Sequence, residues 1–165
     1  MSIRRLAGGV VLLGLACAAP RPEPPVPDLA VIRAQVDSLW VRYKAAALAE
    51  DVDALARIYT DSAYLVELGL PTTRGNAAIH SLVKEILAGV NILESDIRPE
   101  LTEVLGDRVL QIGEYRDVLQ ATGQPVQVAF GRFGAVLLRD SVGAWRVDRL
   151  IAFPDSTVAQ AAPTR

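Results

Sequence analysis

The sequence predicts an α+β fold, a cone-shaped barrel in which three N-terminal helices pack on one face of a strongly curved, mostly antiparallel sheet. As far as Gly89, apolar residues recur mainly with the helical period of 3.6. Beyond Gly89 they alternate with period 2, which is typical of half-buried strands. Short turn-forming links separate these later strands and favour antiparallel hairpins. Helices followed by a strand meander indicate one sheet that is covered by helices on a single face.

Each predicted helix begins at a capping residue. Asp28 caps a first helix whose apolar face continues to Ala47. Asp51 caps a short second helix, and Asn76 caps a third helix that ends at Gly89. Each of these helices has one apolar face to bury.

One strand is predicted between the second and third helices, and four more follow the third helix. The first of them covers residues 63–70. The later ones cover residues 94–105, 108–120, 125–139 and 144–153. A strongly bent sheet folded over a long helix encloses a cone, and alternate strand residues then line a pocket.

Residues 1–17 are typical of a bacterial lipoprotein signal. A basic start precedes an apolar run over residues 6–16 that is too short to span a bilayer. The stretch from Leu13 to Cys17 resembles a lipobox, in which Cys17 is lipidated and becomes the new N-terminus. The alternative is ordinary signal-peptidase cleavage after Ala18. Both interpretations predict export to the cell envelope, facing the periplasm or the exterior.

The predicted folded domain covers residues 28–154. Before it, residues 18–27 hold five prolines and predict an extended polyproline stalk. After it, residues 155–165 are mostly small and polar and predict a disordered tail.

Composition excludes several kinds of function. The chain carries 17 Lys and Arg against 19 Asp and Glu, which argues against nucleic-acid binding because that binding needs clustered positive charge. Cys17 is the only cysteine, so disulfides and cysteine metal sites are excluded. His80 is the only histidine, so one chain cannot supply a His-rich zinc site. We therefore expect no metal or cofactor, and membrane contact only through the lipid on Cys17.

Two blocks of sequence resemble the nuclear-transport-factor-2-like superfamily, which includes the ketosteroid isomerases and the SnoaL-like proteins. The first block, residues 42–63, is RYKAAALAEDVDALARIYTDSA and is similar to that superfamily's helix, acidic break, short helix and strand entry. The second, residues 131–148, is GRFGAVLLRDSVGAWRVD and is similar to its last hairpin. The resemblance implies the cone fold over residues 32–154 and a homodimer formed through the sheet. It implies little about function, because the superfamily holds isomerases, cyclases, dehydratases and members of unknown activity.

The resemblance also implies a candidate catalytic pair. In the isomerase branch, a tyrosine on the first helix donates a hydrogen bond to an enolate oxygen, and a carboxylate on the first strand moves the proton. Tyr43 and Glu67 stand at those places. Glu67 is in phase with Ala63 and Leu65, and burial in the cone would raise its pKa and make it a useful base. The branch's second donor, an aspartate, corresponds to an apolar position at or near Ala135, which argues against steroid isomerisation.

Further candidate pocket residues are side chains that the helix face or the strand phase could direct into the cone: Trp40, Tyr64, Leu65, Glu114, Tyr115, Phe130, Arg132 and Phe133. Phase alone does not decide which face of the 108–120 strand is inward, so Glu114 lies either in the pocket or on a solvated sheet surface. Arg132 needs a partner if it is buried, and Glu67 and Glu114 are the candidates.

Three functions remain open at this point. The first is a binding module whose pocket holds a small, mostly apolar molecule. The second is an enzyme of the ketosteroid-isomerase kind, in which Tyr43 and Glu67 meet in the pocket. If the protein is not a catalyst, these two residues are either polar groups that line the pocket or structural residues. The third is a non-catalytic dimerising module, which predicts a filled cone and an exposed apolar sheet face. The first interpretation is preferred.

Overall fold

The computed structural model describes residues 28–159. The helices are α1 (Leu29–Leu48), α2 (Val52–Ala56) and α3 (Asn76–Leu87). The strands are β1 (Tyr59–Glu67), β2 (Thr73–Arg74), β3 (Val90–Leu105), β4 (Arg108–Ala121), β5 (Gln127–Arg139) and β6 (Trp145–Ala159). The predicted signal, the lipidation site Cys17, the proline-rich linker and the end of the predicted tail lie outside the described residues. None of the described helices has the length and apolar character needed to cross a membrane.

The strands form one mixed sheet in the order β2-β1-β6-β5-β4-β3. β1 pairs with β6 in parallel, and every other neighbouring pair is antiparallel. The sheet is curved but does not close, since β2 and β3 lie at its two edges. The predicted α+β class is confirmed: helices pack on a strongly curved, mostly antiparallel sheet.

α1 forms because a cap and an apolar face coincide. The Asp28 carboxylate accepts a hydrogen bond from the Ala30 amide at 2.9 Å and begins the helix. Val36 and Leu39, one turn apart, are fully buried on its inner face. They pack in one cluster with Leu137 of β5, so the hydrophobic core lies between α1 and the concave face of the sheet.

A buried hydrogen-bond chain ties α1 to two strands. The indole Nε1 of Trp40 donates to Oε1 of Gln111 on β4 at 2.6 Å. The Gln111 amide nitrogen donates in turn to the Thr102 hydroxyl on β3 at 3.1 Å. Gln111 is fully buried, so this chain satisfies polar groups that water cannot reach.

The prediction that Asn76 caps the third helix was wrong. Gly75 occupies the cap position with a φ of 84°, a backbone conformation that glycine adopts without strain. Asn76 instead donates from its amide nitrogen to the carbonyl oxygens of Ala56 and Tyr59, at 2.7 and 3.2 Å. The side chain therefore joins α3 to the α2–β1 connection, a contact that local sequence rules do not include.

Several strands, β1, β3 and β6 among them, extend beyond their predicted ends because a neighbouring strand continues the ladder. β1 begins at Tyr59 rather than Ala63, since Tyr59 pairs with Val147 of β6. β6 reaches Ala159, which pairs with Gln127 of β5. The prediction that disorder begins at residue 155 was therefore wrong, because residues 155–159 form strand.

We expect Gln111→Leu to destabilise the protein by about 1–3 kcal/mol, because the buried Trp40 indole N–H then has no acceptor. Trp40→Phe should also destabilise it. The double variant should lose less than the sum of the two single losses, since both hydrogen-bonding partners are then apolar. Urea unfolding measures all three variants. Gln120→Leu, at an exposed position of the same strand, is the matched control. Additive losses in the double variant would show that the two side chains are not coupled.

Candidate functional site

A cavity of about 270 Å³ lies between the helices and the concave face of the sheet. All three helices line it, together with every strand except β2. Most of the wall is aliphatic or aromatic, including Leu65, Leu82, Val83 and Leu150. This volume lies near the lower end of the range typical of small-molecule sites.

Part of the cavity lining near the C-terminal end of α3 is exposed. Ile86 lines the cavity and is itself 37% exposed. Leu87 follows on the same helix, and Val90 continues the rim at the start of β3. The lining at this end of α3 is therefore apolar, and the cavity is only partly enclosed.

Three aromatic rings form one wall. The Trp40 ring meets the Tyr43 ring edge-on at a centroid distance of 6.1 Å and the Phe133 ring at 5.3 Å. Edge-to-face contacts of this kind are favourable between aromatic rings. The hydrogen bond to Gln111 holds the Trp40 ring, so this wall is positioned by the core beneath it.

The tyrosine hydroxyls that line the cavity stay protonated at neutral pH. Burial raises the pKa of Tyr43 well above its ordinary value, and neighbouring acidic groups raise it further. Burial, with a contribution from Glu67, likewise raises the pKa of Tyr59. Burial, then Glu67 and Asp117, raise the pKa of Tyr115 to about 12. All of these hydroxyls can therefore donate a hydrogen bond to a ligand.

Two carboxyl groups line the same cavity from opposite parts of the sheet. Burial is the main cause of the raised pKa of Glu67 on β1, and Asp117 adds to it. Burial also raises the pKa of Asp117 on β4, against smaller lowering effects from Ser95 and Arg116. Both groups therefore hold protons more strongly than a carboxyl in water does.

Most of the sequence-predicted residues come together here. The cavity wall includes the candidate pair Tyr43 and Glu67, and the predicted pocket residues Trp40, Leu65, Tyr115 and Phe133. The structure places the other predicted pocket residues, Tyr64, Glu114, Phe130 and Arg132, away from this wall.

Glu114, Phe130 and Arg132 lie on the outer face of the sheet. Tyr115 faces the cavity, and because side chains alternate along a strand its neighbour Glu114 faces outward. Arg132, directly opposite Glu114 in the ladder, forms its ion pair with Asp155 at 2.7 Å rather than with Glu67 or Glu114. Phe130 is 40% exposed. The inward face of β4 is therefore the one that carries Tyr115.

Tyr64 also faces away from the cavity, because its neighbour Leu65 faces in. Its ring lies between two guanidinium groups, those of Arg74 at 4.6 Å and Arg149 at 4.9 Å from the ring centroid. This arrangement is a cation–π sandwich at the sheet surface and needs no ligand.

Sequence reasoning missed Tyr59 and Asp117. Asp117 shares its strand face with Tyr115, so a correct choice of the inward face of β4 would have found it. Tyr59 fell outside the predicted first strand, which began too late. The structure also shows why the Tyr115 ring fits at this place: Gly131 lies directly opposite Tyr115, and a Cβ at that position would overlap the ring.

Within residues 28–159, His, Cys, Asp and Glu side chains do not gather in a group of three that could hold a metal ion. His80 lies on α3, outside the cavity wall, and its Nε2 contacts Asp53 at 2.9 Å.

Comparison with known proteins finds no matching family model and no matching curated protein. Solved structures do match. A ketosteroid isomerase-like protein from Erwinia carotovora atroseptica SCRI1043 has a TM-score of 0.67 at 17% identity, covering 74% of this chain and 95% of that one. An NTF2-like protein from Novosphingobium aromaticivorans has a TM-score of 0.64 at 21% identity, covering 78% and 84%.

An enzyme shares the same architecture. The hexachlorocyclohexane dehydrochlorinase LinA-type3 from Novosphingobium barchaimii LL02 has a TM-score of 0.65 at 17% identity, covering 81% of this chain and 92% of that one. Identities this low establish the fold and leave the activity open. The described residues of this protein have the nuclear-transport-factor-2-like fold, as the sequence resemblance predicted.

Proposed function

We propose that this protein is an envelope lipoprotein whose cavity binds a small, mostly apolar molecule. The observation that carries the proposal is the cavity itself, which has about 270 Å³ of space, is partly open, and is lined mainly by apolar and aromatic side chains. Burial of apolar ligand surface in such a wall contributes about 25 cal/mol per Å². A few hydroxyl and carboxyl groups would orient the bound molecule.

The proposed location rests on the first residues of the chain. The lipobox-like stretch before Cys17 supports a lipid anchor, and the proline-rich residues 18–27 would hold the domain away from the membrane. A molecule that reaches the cavity would then come from the periplasm or the exterior.

Proton-transfer catalysis is the second candidate, and the shared cavity of Tyr43 and Glu67 favours it. The Glu67 carboxylate would remove a proton from a carbon next to a carbonyl group, and Tyr43 would donate a hydrogen bond to the resulting enolate oxygen. Return of the proton to the γ-carbon would move a β,γ double bond into conjugation. A raised pKa makes Glu67 a stronger base than an exposed carboxylate.

For the binding proposal, the expected result is that N-phenylnaphthylamine, a neutral dye that fluoresces in apolar surroundings, binds the exported protein. Val83→Trp should weaken binding by about 10-fold or more, because the indole would occupy cavity space. Lys84→Trp, at an exposed position on the same helix, is the control and should bind as the wild type does. Equal dye affinity in Val83→Trp would place the dye elsewhere.

For the catalytic candidate, a cyclohexenone with a β,γ double bond should yield the conjugated enone, followed by its ultraviolet absorbance. Glu67→Gln should lower the rate by about 100-fold or more, since the proton acceptor is lost. Tyr43→Phe should cause a comparable loss. Glu114→Gln, on the outer face, should leave the rate unchanged. If wild-type protein forms no enone faster than buffer, the isomerase candidate fails.

For the lipid anchor, mass spectrometry of the exported protein should find a diacylglyceryl group on Cys17 at the mature N-terminus. Cys17→Ser should abolish this modification because the thiol is the lipidated group, whereas Ala19→Ser should retain it. A mature chain that begins at Ala19 without lipid would instead establish ordinary signal-peptidase cleavage.

A further inference from the structure

In the part of the chain that the structure describes, the charged groups that line the cavity are all of one sign. Glu67 and Asp117 line it, and no Lys, Arg or His of residues 28–159 does so. Neither carboxyl forms an ion pair within residues 28–159. Arg116, the cation that lowers the pKa of Asp117, forms an ion pair with Glu94 at 2.7 Å. The cavity therefore holds two acidic groups whose charge the described protein does not neutralise.

Among residues 28–159, two buried polar atoms at one side of the cavity have no hydrogen bond of ordinary length and angle. They are Oδ1 of Asp117 and the hydroxyl oxygen of Ser95, and both are inaccessible to solvent. Ser95 is 2% exposed and lies directly across the β3–β4 ladder from Asp117. Buried polar groups in folded proteins are nearly always paired. Here the two groups face each other, and a hydrogen bond from the Ser95 hydroxyl lowers the pKa of Asp117, so each is the other's polar neighbour.

The wall around the acids is aromatic. The lining residues include the rings of Trp40, Tyr43, Tyr59, Tyr115 and Phe133. The face of an aromatic ring attracts a positive charge, and more strongly where water is excluded. Acidic groups and aromatic faces in one cavity thus favour the same kind of ligand.

We propose that the ligand is an organic cation, an apolar amine or quaternary ammonium compound whose positive head lies between Glu67 and Asp117. Its apolar part would lie against the aromatic wall formed by Trp40 and Phe133. This inference rests on the proposed binding function and names the class of molecule that the cavity accepts.

The other charge classes fit less well. An anionic ligand would be repelled by both carboxyl groups. A neutral ligand would exclude water from Glu67 and Asp117 without supplying a counter-charge, and a buried unpaired carboxylate is costly. A cation both neutralises the carboxylates and occupies the apolar volume.

Binding should depend on pH in a defined direction. Burial raises the pKa of both carboxyls in the free protein, and a bound cation would lower it by stabilising the carboxylates. Affinity for a permanently charged cation should therefore rise as pH increases through these raised pKa values and then level off.

The remaining groups around the acids do not reverse this trend. Three tyrosine hydroxyls remain protonated, and therefore uncharged, up to pH values well above 7, because their pKa values are raised. They belong to Tyr43 on α1, Tyr59 on β1 and Tyr115 on β4. Ser95 on β3 does not titrate, and Arg116 on β4 forms an ion pair with Glu94. The lining residues of α2, α3, β5 and β6 are apolar.

The test uses two ligands of nearly equal shape, trimethylphenylammonium and tert-butylbenzene, which differ in one charged nitrogen. Calorimetric titration of the exported protein at neutral pH should give about 10-fold higher affinity for the cation. The affinity for the cation should fall on acidification, and that for tert-butylbenzene should not. Glu67→Gln combined with Asp117→Asn should remove the preference for the cation but retain tert-butylbenzene. Glu114→Gln should leave both affinities unchanged.

The outcomes separate the two proposals. If tert-butylbenzene binds as well as the cation in the wild type, or if the cation's affinity does not change with pH, the inference about charge is overturned and the binding function stands. If neither ligand nor the neutral dye binds, the binding function itself fails. The pH comparison uses unaltered protein, so a folding defect in the double variant does not affect it.

Discussion

The hydrogen bond from the Trp40 indole to Gln111 holds the long helix α1 against the sheet. At 2.6 Å it is short, and Gln111 is fully buried, so no water competes for it. Gln111 also extends this contact into a longer hydrogen-bond chain, because its amide nitrogen donates to the Thr102 hydroxyl on the edge strand. The Trp40 ring contacts Tyr43 and Phe133, so the position of the cavity's aromatic wall depends on this one polar contact in the core.

The space between the helices and the sheet divides into a filled part and an open part. Val36, Leu39 and Leu137 are fully buried and pack together in one cluster. Towards Glu67 and Tyr115 the packing ends and the cavity begins. The dense part stabilises the fold, which allows the open part to hold two carboxyl groups that form no ion pair within residues 28–159. Such a division is typical of a domain that binds a small molecule.

Burial of Glu67 connects the binding and the catalytic candidates. Loss of water around this carboxyl raises its pKa, which makes it a stronger base and at the same time makes its charged form more costly when unpaired. Asp117 shares the cavity and raises the pKa of Glu67 further. A reacting proton or a cationic ligand would each relieve the same unfavourable interaction, and the aromatic wall would hold an apolar body in either case. The binding and the catalytic candidates thus require the same cavity. They differ in whether its carboxyl groups interact with a bound cation or with a reacting proton.

The sequence by itself determined the features that depend on local periodicity: the apolar face of α1, the change to strands after α3, and the phase that turns Glu67 inward. The sequence does not indicate which face of β4 is inward, because apolar residues occur both on the strand face of Glu114 and on that of Tyr115. That choice depends on which side chain of β4 meets α1, and the buried bond from Trp40 places Gln111, and with it Tyr115, on the inner face. The extent of β6 was likewise decided by tertiary structure, since residues 155–159 become strand only by pairing with β5. Backbone pairing and side-chain partners distant in sequence are not encoded in the local pattern, so only the folded chain assembles the complete site.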